Sequence, residues 1–378
     1  MHNSDAYDVA IVGGGLAGLS ASIQLAKAGH SVILLEKEKY PFHKVCGEYI
    51  SLESWDFLNG LGVPLQQLNL PFIDTLFLTA PSGKTFTTKL PLGGFGISRY
   101  KLDSFLANIA RQNGVHLVEE TKVDDVVFDE NFHVRFQGKE IQSKICCAAF
   151  GKRSNLDIKW KRNFLQAANK RLDNYVAVKY HIKTNWQQNV IGLHNFENGY
   201  CGISKIEDDK YCICYMTKAE NLKTCSNSIP ELEKNFLYKN PHLKKIFLAS
   251  EKCNSFPVTI SQINFNQKTQ IENHVMMLGD SAGMITPLCG NGMSIALHTS
   301  KIAAQLISDF LHEKISRNEM ENLYEKEWNT FFSKRLKTGR TLQQFFGSIR
   351  LSNLFVATMK LFPFFSKPII KMTHGKSF

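Results

Sequence analysis

The chain has 378 residues, of which 43% are apolar and 21% are charged. This length and composition exclude a disordered chain and favour two domains with substantial apolar cores. The formal net charge is +11, which suits an anionic membrane surface or phosphorylated cofactors, with a solvated basic face as the alternative. Because the sequence contains no nucleic-acid-binding motif, we expect no nucleic-acid partner.

The N-terminal segment, Met1 to Ala6, is polar and lacks the apolar stretch of a signal peptide. The nine cysteines are an odd number and are scattered along the chain, which is typical of a reducing compartment. We therefore predict a cytoplasmic protein with mostly free thiols. The most apolar window, residues 354–370, is interrupted by Lys360, Pro363 and Lys367, so it favours a segment that rests on a membrane over one that spans it.

The N-terminal elements form a recognisable pattern. Tyr7 to Val12 predicts a buried strand, Gly13 to Gly15 a turn, Leu16 to Ala28 a helix, and Ser31 to Leu35 a second buried strand. Strand, glycine-rich turn, helix and strand within about 30 residues are a βαβ unit.

The rest of the chain mixes short strands with helices. Residues 115–149 predict a β-meander that returns to the first sheet. Further strands are predicted at Ile73 to Leu78, Thr85 to Leu90, Tyr175 to Ile182, Gly199 to Ile206, Tyr211 to Tyr215 and Val275 to Leu278. Helices are predicted at Arg99 to Asn113, Ser228 to Phe247, Gly292 to Leu311 and from Asn318 onward.

A glycine-rich turn, Gly13-x-Gly15-x-x-Gly18, follows the first strand. The first glycine makes the tight turn, the second lets the backbone approach a pyrophosphate, and the third lets helix and strand pack closely. Glu36 ends the second strand, where a carboxylate accepts hydrogen bonds from a ribose diol and disfavours a 2′-phosphate. In this context a dinucleotide site is favoured over a glycine-rich turn of some other α/β protein.

A second glycine-rich segment lies between residues 278 and 293. Gly279-Asp280 follows an apolar strand, and Gly290-Asn291-Gly292-Met293 opens the next predicted helix. An aspartate at a strand end suits a ribityl hydroxyl, and the backbone N–H groups of residues 290–293 suit a flavin pyrimidine ring. The alternative is an aspartate that caps the following helix.

Taken together, these segments resemble the flavoprotein superfamily of aromatic-ring hydroxylases and geranylgeranyl reductases over most of residues 5–310. The resemblance is carried by Gly13 to Gly18, Glu36, Ile97 to Asp103 and Leu278 to Asp280. It implies FAD as the cofactor, with Asp280 at the ribityl chain and Arg99 near the phosphate or ribityl groups, unless Arg99 is a surface helix cap. The residues expected to bind FAD are Gly13, Gly15, Leu16, Ala17, Gly18, Glu36, Lys37, Lys44, Arg99, Val123, Gly279, Asp280, Gly290, Gly292 and Met293.

Two Cys-Gly loops resemble the geranylgeranyl reductase branch in particular: Lys44-Val45-Cys46-Gly47 and Pro287-Leu288-Cys289-Gly290. Both are expected at the isoalloxazine, because one follows the ribose strand and the other follows the ribityl aspartate. We hypothesise that Cys46 and Cys289 form a redox-responsive pair, with two unrelated buried thiols as the alternative. Together with Tyr49 they are the catalytic candidates.

The chain also departs from the family pattern. Phe150 stands where the hydroxylases usually carry an aspartate, which argues against direct reduction by NAD(P)H, although NAD(P)H stays a candidate electron donor and Lys152 and Arg153 suit a phosphate. Gly199 to Lys205 retains little of the aromatic-Phe-Pro stretch of polyprenyl reductases, so the substrate need not be geranylgeranyl. The Trp-x-Trp-x-Ile-Pro motif of flavin halogenases is absent.

The remaining polar and aromatic clusters are less specific. The histidines lack ligand spacing with cysteines or carboxylates, so we predict no metal site. Beyond residue 333, basic and aromatic residues alternate on predicted short helices, which suits peripheral membrane contact or a helical lid over the substrate sheet.

These observations predict an α/β fold with a discontinuous Rossmann-type FAD-binding domain, an antiparallel substrate domain and a C-terminal helical region. The predicted boundaries are 1–75, 95–160 and 270–312 for FAD, 76–94 and 161–269 for substrate, and 313–378 for the helical region. The resemblance implies a geranylgeranyl reductase-like reductase or dehydrogenase that acts on C=C bonds of an apolar or lipid-like substrate. The alternatives are an FAD-dependent monooxygenase that uses NAD(P)H and O₂, and a non-catalytic lipid-binding or electron-transfer flavoprotein.

Overall fold

The computed structural model describes residues 6–166 and 174–378. Residues 1–5 and 167–173, which the predicted FAD-binding and substrate domains include, lie outside the described residues. The described chain forms two large β-sheets and a set of covering helices, which confirms the predicted α/β fold class.

The strands contribute to two sheets that the chain visits alternately. In chain order they are β1 (Ala6–Val12), β2 (Val32–Leu35), β3 (Tyr49–Ser51), β4 (Phe72–Thr79), β5 (Thr85–Gly96), β6 (His116–Val118), β7 (Val123–Asp129), β8 (Asn131–Phe136), β9 (Lys139–Ala148), β10 (Tyr175–Lys183), β11 (Val190–Phe196), β12 (Gly199–Lys205), β13 (Tyr211–Lys218), β14 (Glu251–Lys252), β15 (Val258–Ile263), β16 (Ile271–Glu272) and β17 (Val275–Met277).

The helices cover the first sheet and dominate the C-terminal part. In chain order they are α1 (Leu16–Lys27), α2 (Trp55–Leu61), α3 (Arg99–Gln112), α4 (Asn155–Lys159), α5 (Asn163–Gln166), α6 (Ala219–Thr224), α7 (Ile229–Asn235), α8 (Pro241–Ala249), α9 (Gly292–Leu311), α10 (Arg317–Phe345), α11 (Ile349–Leu361) and α12 (Ser366–Thr373). Short 3₁₀ turns at Gly279–Ser281 and Pro287–Cys289 precede α9.

The first sheet is mainly parallel, with the order β16-β17-β9-β1-β2-β6 and the hairpin β7-β8 attached through β9. All four residues of β2 are buried, as expected for a parallel strand covered on both faces. Helix α1 packs against α3 and α9, and the hydroxyl of Ser20 donates to that of Ser300 at 2.7 Å between α1 and α9. The carboxyl ends of β1, β2 and β17 therefore meet at one edge, where ligands of open α/β sheets bind.

The second sheet has the order β14-β10-β13-β12-β11-β4-β5-β3, with β15 paired to β10. Its pairs are antiparallel except for β11 and β4, which run parallel. It includes β3 and all of β4, although the predicted boundary places residues up to 75 in the FAD-binding segment. The chain therefore crosses from the first sheet to the second before residue 76.

Strand β5 continues to Gly96, six residues beyond the predicted end at Leu90. The sheet accommodates the proline and the two glycines of residues 91–94, which usually end a strand. The pairing of β4 with β5 changes register between Ile73 and Thr75. Gly93 lies at this irregularity with a φ of +74°, and a Cβ there would come within 2.9 Å of the carbonyl oxygen of Ile73. A bulge glycine therefore bends the strand and does not end it.

The C-terminal helices pack on α9 and on the second sheet. Helix α10 begins with a capping box in which Ser316 and Glu319 exchange hydrogen bonds, and it packs on α9. Helices α11 and α12 pack on β5. Across residues 6–166 and 174–378, no helix combines the length and apolarity that crossing a bilayer requires.

Candidate cofactor and substrate site

The glycine turn between β1 and α1 has the shape that a pyrophosphate needs. Gly13 has a φ of +105°, and a Cβ there would lie 2.7 Å from the carbonyl oxygen of Ala149. A Cβ on Gly18 would overlap the carbonyl oxygen of Gly13, so this glycine sets the close approach of helix and strand. A Cβ on Gly15 would meet nothing nearer than 3.9 Å. The backbone at Gly15 therefore lines the cavity without being covered by a close protein atom, as the predicted phosphate contact requires.

Two cations lie beside Gly15. The Arg99 guanidinium and the Lys44 ammonium both lie 3.9 Å from the position of a Cβ on Gly15. Arg99 makes two 2.7 Å hydrogen bonds to the carboxylate of Asp103, and Lys44 lies 3.2 Å from the same group. One carboxylate thus fixes two cations and leaves a net positive charge for a bound phosphate. Asp103 ends the Ile97 to Asp103 segment that carries the resemblance, but no role was predicted for it, although its spacing of four residues from Arg99 on one helix is the available signal.

Glu36 at the end of β2 is buried and oriented by the backbone. Its two carboxylate oxygens accept hydrogen bonds from the N–H of Gly14 at 2.7 Å and of Glu38 at 3.0 Å. Each oxygen keeps a further lone pair, so the carboxylate can also accept from a ribose hydroxyl. This geometry fits the predicted adenosine ribose position.

One cavity of about 1020 Å³ gathers the predicted site. Gly18 packs beneath the turn and does not line it. The predicted residues that do line it are Gly13, Gly15, Leu16, Ala17, Glu36, Lys37, Lys44, Cys46, Tyr49, Arg99, Val123, Gly279, Asp280, Cys289, Gly290, Gly292 and Met293. Their individual roles stay predictions.

The loop that carries Asp280 is held by two buried cations that the sequence analysis missed. The Lys268 ammonium donates to the carbonyl oxygens of Lys152 and Asp280 at 3.0 and 2.9 Å. Arg162 donates to the carbonyl oxygen of Ser281 at 3.0 Å. Within the described part of the chain, the Asp280 carboxylate itself has no hydrogen-bond or ion-pair partner. It therefore lines the cavity as a free acceptor, as a ribityl contact requires.

The N-terminus of α9 faces the cavity next to this loop. Gly290 adopts a φ of +68°, and a Cβ there would touch the Tyr49 ring at 3.2 Å. The side-chain oxygen of Asn291 is buried and lacks a partner among the described residues, while its amide donates to the carbonyl oxygen of Thr373. Free helix N–H groups and a close glycine backbone fit a flavin pyrimidine ring.

The three catalytic candidates line the cavity but differ in environment. The thiol of Cys46 lies 3.5 Å from the sulfur of Met293, and the thiol of Cys289 lies 3.6 Å from the hydroxyl of Thr286. Burial raises the pKa of Cys289 to about 11, so it stays a thiol at neutral pH. Both cysteines are free in the structure, and their redox pairing stays a prediction. Burial also raises the pKa of Tyr49, whose hydroxyl is buried.

A buried ionic cluster, formed by Glu48, Lys179 and His181, supports the loop beneath the cavity. The Glu48 carboxylate accepts from the Lys179 ammonium, from His181 Nε2 at 2.6 Å and from the backbone N–H of Arg99 at 2.8 Å. Burial raises the pKa of Glu48, but its two partners lower it further, to about 2. Glu48, His181 and Cys212 bring metal-ligand atoms within 4.8 Å of one another, but the lysine already compensates the carboxylate. This donor set therefore fits an internal ion pair.

The segment after β9 departs from the family pattern as the sequence indicates. Phe150 lies against Trp160 with ring centroids 6.1 Å apart. Phe150, Lys152 and Arg153 all line the cavity, so two cations face it where the hydroxylases carry an aspartate.

Two family models match parts of the chain. The model described as FAD binding domain matches residues 8–43, which contain the glycine turn and Glu36. The model described as squalene epoxidase matches residues 212–368, which run from β13 into the C-terminal helices.

Curated relatives match most of the chain. Conditioned medium factor receptor 1 of Dictyostelium discoideum is 22% identical over 90% of this chain and 70% of its own length. Digeranylgeranylglycerophospholipid reductase of Methanococcus vannielii is 25% identical over 86% of this chain and 82% of its own length.

Solved structures share the fold. A geranylgeranyl bacteriochlorophyll reductase-like protein of Thermoplasma acidophilum has a TM-score of 0.76 at 18% identity, and covers 98% of this chain and 92% of its own. A flavin-dependent brominase has a TM-score of 0.76 at 17% identity, over 97% and 93% of the two chains. The glycine turn, the FAD-binding model and these relatives agree that the chain is an FAD-dependent oxidoreductase, similar over most of its length to the digeranylgeranylglycerophospholipid reductase.

Proposed function

We propose that the chain is a geranylgeranyl reductase-like reductase or dehydrogenase that acts on C=C bonds of an apolar or lipid-like substrate. The observation that carries this proposal is the extent of the cavity, which continues from the glycine turn into an apolar region between the second sheet and the C-terminal helices. The side chains of that region include Leu76, Leu193, Met216, Ile260, Leu342, Phe346 and Phe355. Such a lining binds a hydrocarbon chain by removing its surface from water.

In this scheme the residues of the chain bind FAD, orient the substrate and exclude water from the reacting atoms. Bound FAD supplies the hydride chemistry. Lys44 and Arg99 hold the phosphates, Glu36 the ribose and Asp280 the ribityl chain. The apolar lining positions the double bond and excludes water from it.

The comparisons support the reductase assignment. The relative from Methanococcus vannielii is a digeranylgeranylglycerophospholipid reductase by name, and it matches most of both chains. The Cys-Gly loop at Cys46, which resembles the geranylgeranyl reductase branch, lines the cavity. NAD(P)H stays a candidate electron donor, with Lys152 and Arg153 as the cations that would meet its phosphate.

The direct test is anaerobic reoxidation. The purified FAD-bound protein is reduced with a stoichiometric amount of dithionite and mixed with detergent-dispersed geranylgeranyl lipid, and the flavin absorbance near 450 nm is followed. We expect the oxidised spectrum to return together with a lipid product two mass units heavier for each double bond reduced. The fully saturated lipid is the control. A flavin that stays reduced with every unsaturated lipid class would contradict the proposal.

An FAD-dependent monooxygenase is the second candidate, and the squalene epoxidase model match over residues 212–368 favours it. A monooxygenase also requires an apolar cavity that excludes water, so the apolar lining alone does not distinguish a monooxygenase from a reductase. A non-catalytic lipid-binding or electron-transfer flavoprotein is the third reading. It predicts lipid that co-purifies with the protein but no acceptor lipid that reoxidises the flavin.

We also propose that the C-terminal helices dock on an anionic membrane. The C-terminal apolar patch consists of exposed side chains on α11 and in the turn after it: Leu354, Leu361, Phe362, Phe364 and Phe365. Exposed basic residues surround it, namely Arg350, Lys360, Lys367 and Lys371. The opposite faces of the same helices line the cavity through Phe355, Ile369 and Ile370, so a lipid would have a short path from membrane to cavity.

Replacing Leu361 and Phe364 together by aspartate should weaken binding to vesicles that contain phosphatidylglycerol by about 100-fold. The estimate follows from losing the burial of two large apolar side chains, at about 1.5 kcal/mol or more each. Vesicle co-sedimentation measures the effect. Leu248→Asp is the matched control, because Leu248 is as exposed (68%, against 73% for Leu361) but lies on α8. Equal losses in both variants would contradict the docking site.

A further inference from the structure

A second cavity of about 390 Å³ adjoins the first. Of all the described residues, only His43 lines both cavities. The lining of the second cavity includes three charged side chains, Lys101, Asp208 and Lys210. Charged groups retain water, whereas the side chains of the substrate region in the first cavity are apolar. His43 therefore lies between a group of water-binding side chains and the apolar substrate region.

The imidazole of His43 is held between two rings. It stacks on Tyr100 with centroids 4.7 Å apart, and it meets the His181 ring edge-on at 5.2 Å. Its Nδ1 atom is buried and has no hydrogen-bond partner in residues 6–166 and 174–378. Burying an imidazole nitrogen without a hydrogen-bond partner costs free energy, and a functional role for this nitrogen would explain that cost.

The neighbouring His181 is fixed by the ionic cluster. The Glu48 carboxylate is ionised because Lys179 and His181 hold its pKa at about 2, so it can only accept in the 2.6 Å hydrogen bond, and the N–H at His181 Nε2 donates. His181 also lines the second cavity. The cluster thus orients the ring against which His43 packs.

We infer that His43 carries protons between the second cavity and the flavin cavity. This inference rests on the proposed function, because saturating a C=C bond takes a hydride and a proton. Reduced FAD, when bound, would supply the hydride for one C–H bond. The neutral imidazole of His43 first takes a proton from water in the second cavity, which leaves hydroxide, and then passes that proton to the other carbon. The second C–H bond forms, the imidazole returns to its neutral form, and atoms and charge balance.

The surroundings of His43 suit this task. Burial, and then the charges of Lys179 and His181, lower its pKa, while Glu48 raises it and Lys210 lowers it slightly. The uncharged ring of Tyr100 covers the remaining side. His43 is therefore a neutral imidazole at neutral pH and releases an acquired proton readily.

Three other ionisable groups that line the cavity, Tyr49, Cys289 and His374, are poorer proton donors. Burial raises the pKa of the Tyr49 phenol, and burial also raises the pKa of the Cys289 thiol to about 11. His374 lies with its Nδ1 2.9 Å from the carbonyl oxygen of Ile370, within its own segment. Among the described residues, His43 is thus the ionisable group that lines both the flavin cavity and the second cavity.

The test times proton release without any substrate. FAD-bound protein is reduced anaerobically and mixed rapidly with ferricyanide, which accepts electrons and no protons, in weakly buffered solution with a pH indicator. We expect His43→Gln to slow the appearance of the proton by about 100-fold relative to the unchanged chain. His133→Gln is the matched control, because His133 is on β8 and pairs with Glu140 at the surface. Proton release at the unchanged rate in His43→Gln would overturn the inference.

A second variant separates proton transfer from structural damage. His43→Ala should also release the proton slowly, and added imidazole should restore the rate by entering the space left by the side chain. Slow release that imidazole does not restore would assign His43 a structural role and overturn the inference. Because no lipid is used, this result stands even where the anaerobic lipid test fails, so the two failures are distinguishable.

Discussion

Glu48→Ala is expected to destabilise the folded chain by about 3–5 kcal/mol. The substitution removes a fully buried carboxylate and leaves the Lys179 ammonium, itself 1% exposed, without its counter-charge. It also removes the acceptors of His181 and of the Arg99 backbone. Urea unfolding followed by circular dichroism measures the loss.

The contribution of Glu48 to the free energy of unfolding depends on pH. The pKa of Glu48 is lowered from 4.5 to about 2 in the folded chain, so its stabilising contribution is complete above about pH 4.5. The contribution is lost as the pH falls from 4.5 towards 2, because the unfolded chain then binds the proton first. Glu48→Ala should therefore flatten the acid limb of the stability curve.

Two variants control this experiment. Glu140→Ala removes a carboxylate whose partners, His133 and Arg135, lie at the surface, and it should leave the free energy of unfolding almost unchanged. Glu48→Leu combined with Lys179→Met removes both charges and should recover much of the loss. Equal stabilities of Glu48→Ala and Glu140→Ala would show that the ionic cluster does not support the fold.

Gly15→Ala should reduce the affinity for FAD by about 100-fold, equivalent to roughly 2.7 kcal/mol, while the chain still folds. The added methyl group would meet no protein atom within 3.9 Å, so it does not strain the polypeptide. It would instead occupy the space in which the pyrophosphate approaches the backbone between Lys44 and Arg99. Titration of the apoprotein with FAD, followed by quenching of flavin fluorescence, measures the affinity.

Gly60→Ala is the matched control for Gly15→Ala. Gly60 lies in α2, and a Cβ there meets nothing within 4 Å. This variant should bind FAD normally. Gly18→Ala is a different case, because its methyl group would overlap the Gly13 carbonyl and disturb the packing of α1 on β1. Unchanged FAD affinity in Gly15→Ala would remove the glycine turn from the cofactor site.

The cofactor side of the site was predictable because its chemistry imposes a local pattern. A phosphate that meets a backbone requires glycines at fixed spacing, and a ribose requires an acceptor at the end of the next strand. Gly13, Gly15 and Glu36 satisfy both requirements within 24 consecutive residues. The fold class follows from the same pattern, since a βαβ unit implies a parallel sheet.

The supporting interactions were not predictable in this way. Glu48 meets Lys179 and His181 across separations of 131 and 133 residues, and nothing local marks either pair. Nothing in the sequence distinguishes Lys268 from a surface lysine, yet it is buried between two cavity loops. Such contacts depend on how the two sheets dock, which strand and helix periodicity does not encode.

The reaction with oxygen tests the central claim most directly. The FAD-bound protein is reduced anaerobically with dithionite and mixed rapidly with oxygenated buffer, and absorbance spectra are recorded until the flavin is oxidised. The reductase assignment predicts slow reoxidation in a single phase, with spectra that interconvert the reduced and oxidised forms directly. A transient species with its own spectrum, formed at a rate proportional to the oxygen concentration, would contradict it and establish the monooxygenase.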